Sequence, residues 1–128
     1  MEFEVKDDIF YTKEDLWVRE DDGLVVIGIT DYAQKRLKAV QYVDLPEEDD
    51  DLDRGESFGE VESVKSLSQL IAPVSGRISA VNEQLADQPG LLNSSPYEQG
   101  WIIKADCPDL ESEKEELMTA QEYLEYRK

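Results

Sequence analysis

Histidine is absent from this sequence and cysteine occurs once, at Cys107, so lysine and the carboxylates are the main side chains left to carry reactivity. That inventory excludes a tetrahedral zinc site, a histidine-ligated haem and a histidine-based catalytic triad within the chain. Cys107 sits in Asp106-Cys107-Pro108 with no neighbouring Lys or Arg to lower its pKa, and it has no internal partner for a disulfide; it reads as an ordinary thiol. Glu47 to Asp53 holds six carboxylates in seven residues but does not follow the alternation of a calcium loop, so it reads as a solvated loop. Lys65 is the remaining candidate. In Glu62-Ser63-Val64-Lys65-Ser66 it stands between two extended runs, which puts its amine at the exposed tip of a hairpin. A lone lysine in a turn is ordinarily a solvated charge, so the pattern alone assigns it no task.

The elements that would position Lys65 are short strands. Leu16-Trp17-Val18 and Leu24 to Ile29 flank Asp22-Gly23, a hairpin turn signal. Thr30 and Asp31, with Gln34 following, cap a short helix over Tyr32 to Leu37, and Val40 to Leu45 reads as a strand stopped by Pro46. Phe58 to Val64 and Leu70 to Val74 flank a loop over Lys65 to Ser68, and Gly76 precedes a strand over Arg77 to Val81. Asn82 caps a helix through Leu85 that Pro89-Gly90 ends, and Trp101 to Ile103 forms the last strand. Ser112 with Glu115 and Thr119 with Glu122 write two capping boxes in a C-terminal helical segment of about 109–127, whose Leu117, Ala120 and Leu124 form an apolar stripe. Trp17, Trp101, Tyr123 and Tyr126 read as core or rim packing.

Strands at this spacing predict a mainly β fold, a small sandwich or flattened barrel. The 128 residues fit one domain, and a 40% hydrophobic fraction is enough for a packed core. With 13 basic and 31 acidic residues the net charge is -18, which makes nucleic acid and anionic membrane poor partners. No window approaches the apolar length of a membrane span and the first residues lack signal-peptide character, so a cytoplasmic protein is expected. The scattered glycines write neither a P-loop nor a dinucleotide fingerprint.

The stretch Gly59-Glu60-Val61-Glu62-Ser63-Val64-Lys65, followed by Ala72-Pro73-Val74-Ser75-Gly76, resembles the lipoyl-attachment region of the glycine cleavage system H protein family. The resemblance runs from Tyr11-Thr12-Lys13-Glu14 through Gly28 to Gln34 and on to Asn93 through Trp101. It implies a lipoyl-domain fold, a barrel-sandwich hybrid of two small antiparallel sheets related by a rough two-fold, with helices at the ends. It also implies a non-catalytic carrier, monomeric, with lipoate in amide linkage to Lys65. Glu62, Ser63, Val64, Ser66 and Gly76 would then recognise and support the attachment turn. The implied partners are lipoate ligase or lipoyl-assembly enzymes and dihydrolipoamide dehydrogenase. Val64 and Ser66 stand where biotinyl domains place methionine, which favours lipoate over biotin.

The sequence departs from the family's pattern at three places. Leu16 stands where a glutamate usually precedes the tryptophan, Gln69 where an aspartate usually follows the lysine, and Lys38-Ala39 where a glycine and an acid usually stand. In the family those acids line the cleft that holds an aminomethyl group's ammonium. Their loss predicts a different cargo, and places the chain nearer the H-like lipoate-binding proteins of sulfur oxidation, beside a heterodisulfide-reductase-like complex. The alternative is glycine cleavage, with the ammonium met by Glu14, Asp15 or Glu62, between glycine decarboxylase and aminomethyltransferase. A third expectation is an unmodified interaction module or a lipoyl donor for other enzymes.

Overall fold

The computed structural model describes residues 2–128 and is mainly β, with nine strands in two antiparallel sheets. In chain order the strands are β1 (Phe10–Tyr11), β2 (Leu16–Asp21), β3 (Leu24–Ile29), β4 (Val40–Asp44), β5 (Asp51–Leu52), β6 (Ser57–Ser63), β7 (Leu67–Ile71), β8 (Gly76–Val81) and β9 (Ile103–Asp106). The helices are α1 (Asp31–Leu37), α2 (Gln84–Asp87), α3 (Leu91–Ser94), α4 (Leu110–Glu113) and α5 (Ala120–Tyr126), with a 3-10 turn over Lys114–Glu116. One sheet has six strands in the order β1-β2-β3-β9-β8-β5; the other has three, β4-β6-β7. The two sheets are thus unequal in size.

Local signals account for most element ends. Asp22 and Gly23 both take positive φ, 56° and 83°, which matches the right-handed twist of the β2–β3 hairpin. The Thr30 hydroxyl accepts from the Ala33 N–H and starts α1, and Thr119 with Glu122 forms a complete capping box on α5. Ser112 does not cap: it lies inside α4, whose first turn has no side-chain cap. Asn82 accepts from the Gln84 N–H but spends its amide on the carbonyls of Gln99 and Trp101, tying the start of α2 to the approach to β9.

Alternation along β2 and β3 sends Leu16, Val18, Val25, Ile27 and Ile29 to one side, where they meet Val40, Val43, Val61 and Leu70 of the smaller sheet. Trp17 and Val26 point to the other side and pack with Tyr11, Tyr97, Ala120 and Tyr123. The apolar stripe of α5 is therefore carried by Ala120 and Tyr123, while Leu124 is 37% exposed. Tyr126 is exposed as well, and Trp17 is fully buried with its indole N–H donating to the Pro96 carbonyl.

Three further elements differ from expectation. Asp51 and Leu52, inside the acidic block, form β5 and pair with Arg77 and Gly76; Leu52 is buried in the core. One apolar residue among carboxylates is enough to pin that segment, because its burial stabilises by about 2 kcal/mol. The last strand begins at Ile103 and extends to Asp106, beyond the expected Trp101 to Ile103. Strand β7 starts at Leu67, earlier than the expected Leu70, because Glu62 and Leu67 pair across the hairpin.

Candidate functional site

The pairing of Glu62 with Leu67 and the bond from the Ser63 N–H to the Ser66 carbonyl (2.9 Å) leave Val64 and Lys65 as a two-residue hairpin loop. Neither residue takes positive φ, so a side chain at each costs no backbone strain. Ser63 holds the loop from beneath. Ser63 is 7% exposed, and its hydroxyl accepts from the N–H groups of Lys65 and Ser66 (3.1 Å each) and donates to the Ser66 carbonyl (3.1 Å). The Val64 N–H donates to the Ala39 carbonyl at 3.1 Å, anchoring the loop to the segment between α1 and β4. Lys65 is exposed, and its amine makes no hydrogen bond or ion pair among the described residues. The arrangement presents a free primary amine on a rigid base, open to an acylating enzyme, and fits an amide-linked group that must swing.

Beside the loop lies a cleft of about 250 Å³. Lys65 and Ser66 form one end, Leu67 to Leu70 of β7 a wall, and Leu16, Ile29 and Leu37 the apolar floor, with Glu14, Asp15 and Arg36 at the rim. Leu16 and Gln69 both line it, Leu16 from the core and Gln69 from the outward side of edge strand β7 at the cleft's margin. Leu16 is 1% exposed and belongs to the core; the Gln69 amide donates to Glu60 Oε1 at 3.0 Å.

The three acids expected to compensate separate clearly. Asp15, in a positive-φ turn (69°), receives Arg127 Nη2 at 2.7 Å, Arg127 Nε at 2.9 Å and the Tyr123 hydroxyl at 2.8 Å. Its carboxylate is committed to holding the end of α5. Burial of the Tyr123 hydroxyl pushes that phenol well above its ordinary pKa, and the adjacent Asp15 carboxylate adds to the rise, so it remains a proton donor. Glu62 is exposed and leaves the sheet on the face opposite to buried Val61 and Ser63, and it does not line the cleft. Glu14 is exposed, lines the cleft and has no hydrogen-bonding or ionic partner among the described residues. It is the carboxylate available to a cation there.

Of the expected site residues, Ser63, Val64, Lys65 and Ser66 build one turn, with Glu62 next to it. Gly76 is elsewhere. It opens β8 in the six-stranded sheet opposite Leu52, without positive φ, and a Cβ there would land on the Asp106 carbonyl oxygen. Its role is close packing of β8 on β9, and the Val64–Lys65 turn is closed without it. Lys38 ends α1 with φ 66°, a conformation that favours glycine. Cys107 donates to the Ser75 carbonyl, and its pKa is pushed up to about 12 by burial and then by the Glu113 carboxylate. The raised pKa keeps it a neutral thiol near neutral pH, in line with the ordinary thiol its sequence context suggests.

The family model described as glycine cleavage H-protein matches residues 9–128. The chain belongs to the glycine cleavage H-protein family. Among curated relatives, glycine cleavage system H protein 4 of Aquifex aeolicus is 50% identical over 124 residues, covering 97% of this chain and 72% of the relative. The glycine cleavage system H protein of Staphylococcus saprophyticus is 48% identical over 121 residues, covering 94% of this chain and 95% of the relative. A crystal structure of the H protein from Mycobacterium marinum superposes with a TM-score of 0.86 at 36% identity, covering 96% of this chain and 98% of that one. H proteins are lipoyl carriers, not catalysts, and hold lipoate covalently on a lysine. A carrier of that kind needs no histidine or reactive cysteine of its own, since the cofactor brings the chemistry. No helix of the described residues is long and apolar enough to cross a membrane.

Proposed function

We propose that Lys65 is the lipoylated lysine and that this H protein serves glycine cleavage, between glycine decarboxylase and aminomethyltransferase, with dihydrolipoamide dehydrogenase as a third partner. The observation that carries the reading is the unpaired Lys65 amine on a serine-clamped two-residue loop at the mouth of an apolar-floored cleft. When bound, lipoate supplies a redox-active disulfide ring on a long stem. The protein's own contribution is position: Ser63 fixes the loop, Leu16, Ile29 and Leu37 keep water from the cleft floor, and Glu14 offers its carboxylate to an ammonium. The glycine assignment draws its support from relatives at 48% and 50% identity that bear the glycine cleavage name.

A sulfur-carrying role beside a heterodisulfide-reductase-like complex is the second reading. It is favoured by Leu16 and Gln69, which leave the inner cleft without a carboxylate. One assay separates the two. With lipoylated protein, glycine decarboxylase, aminomethyltransferase and its tetrahydrofolate acceptor, and dihydrolipoamide dehydrogenase with NAD to reoxidise the dithiol, glycine cleavage should run at a full rate, and Glu14→Gln should slow aminomethyl transfer several-fold while leaving lipoylation unchanged. A carrier that accepts lipoate yet supports no glycine cleavage would favour the sulfur reading.

A further inference from the structure

The hairpin that carries the Lys65 loop and strand β4 beside it are covered on one face only. Register lays two rows across the other: Tyr42, Glu62 and Leu67 beside the loop, and Asp44, Glu60 and Gln69 behind them, with Leu67 and Gln69 of the edge strand also reaching the margin of the cleft. Tyr42, Val64 and Leu67 are 55%, 61% and 59% exposed, the most exposed large apolar side chains among the described residues. All three lie on this hairpin or on the strand paired with it, whereas isolated exposed apolar residues scatter over a surface without meaning. Strand spacing of about 4.8 Å puts Tyr42 and Leu67 roughly 10 Å apart, on either side of Glu62, a separation that one protein surface can span.

Charge restricts the occupant. Strands β4, β6 and β7 contain no Lys or Arg, and Asp44, Glu60 and Glu62 stand among the apolar residues. A second copy of this chain would bring acid against acid under a net charge of -18 on each. A complementary partner has an apolar socket rimmed by Lys or Arg. Continuity with the loop restricts it further, because an enzyme that encloses the Lys65 amine must lie against Val64 and the row next to it. We propose that Tyr42, Val64 and Leu67, with the carboxylates of Asp44 and Glu60 behind them, form the docking surface for the enzyme that acylates Lys65. This rests on the reading of Lys65 as the lipoylated residue.

The test is steady-state lipoylation of the unmodified protein by a lipoate–protein ligase with lipoate and ATP. Tyr42→Ser combined with Leu67→Ser should raise KM for the carrier at least tenfold with kcat within twofold. Acetylation of Lys65 by acetic anhydride, followed by peptide mass, should be unchanged, since a small reagent needs no docking. Asp44→Lys combined with Glu60→Lys should raise KM about fivefold and flatten its dependence on salt; should the serine pair not fold, this pair carries the test. Unchanged KM in folded variants would overturn the proposal, as would a parallel fall in acetylation, or a wild-type dimer in sedimentation that the serine pair breaks. Wild-type protein that takes up no lipoate at Lys65 would remove the attachment reading and this one together. Wild type lipoylated at Lys65 with variants of equal KM would remove the docking surface alone.

Discussion

The two sheets of this H protein are built to opposite plans. The six-stranded sheet has the shared core on one face, and over β1 to β3 a second layer with Tyr97, Ala120 and Tyr123 packs on Tyr11, Trp17 and Val26 of the other, while Arg77 and Ser79 of β8 stay exposed. The three-stranded sheet gives one face to the core and leaves the other in water, with its hairpin loop extended beyond both. The bare sheet keeps the amine accessible. A carrier must present one side chain to several enzymes in turn, and a loop buried under a helix could not do so.

That contrast is most easily broken by truncating one large side chain from each sheet. Trp17→Ala should cost about 3–5 kcal/mol, since a fully buried indole and its bond to the Pro96 carbonyl are lost. Tyr42→Ala should cost within about 0.5 kcal/mol. Denaturant titration of both variants measures the difference, and equal losses would mean that the outer face of the small sheet is structural. Gly76→Val comes next, at about 1–3 kcal/mol, because a side chain cannot occupy the space of the Asp106 carbonyl. Its melting temperature should fall while any protein that folds still takes up lipoate, which separates the packing of β8 from the attachment turn.

The smallest effect concerns Cys107. Burial and the Glu113 carboxylate raise its pKa to about 12, so below that pH the folded protein holds the neutral thiol. Iodoacetamide at pH 8 should modify native protein at least tenfold more slowly than unfolded protein. The sign for stability follows from the same shift: an unfolded thiol ionises near pH 8.5 and the folded one does not, so stability falls as pH rises above that value. Equal alkylation rates in the two states would show that the thiol is not held as the structure indicates.

Much of this was legible in the residues. Asp22-Gly23, Thr30 and Thr119 act locally, through φ and through hydrogen bonds to N–H groups two or three residues on, so short-range pattern suffices for them. The position of Lys65 at a hairpin tip follows from the apolar runs on either side. What could not be read depends on partners distant in sequence. Leu52 is one apolar residue in an acidic run, and only its pairing opposite Gly76 makes a strand of it. Gly76 stands near the lysine along the chain but belongs to the other sheet. Ser63 resembles a recognition residue, yet its burial under the loop makes it the clamp. Asp15 and Glu14 are neighbours with identical charge; only Arg127, arriving from the other end of the chain, decides that the first is committed and the second free. The expected sulfur cargo rested on Leu16 and Gln69, which do line the cleft, but two substitutions weigh less than overall similarity to proteins of glycine cleavage.

The central claim, that one side chain on the uncovered sheet carries the cofactor, is tested by intact-mass and peptide analysis of wild-type protein and Lys65→Arg after incubation with a lipoylating enzyme. The wild type should gain one lipoyl group, on the Lys65 peptide, and Lys65→Arg should gain none while unfolding within about 0.5 kcal/mol of wild type. A lipoyl group on any other lysine, or on the arginine variant, would contradict it.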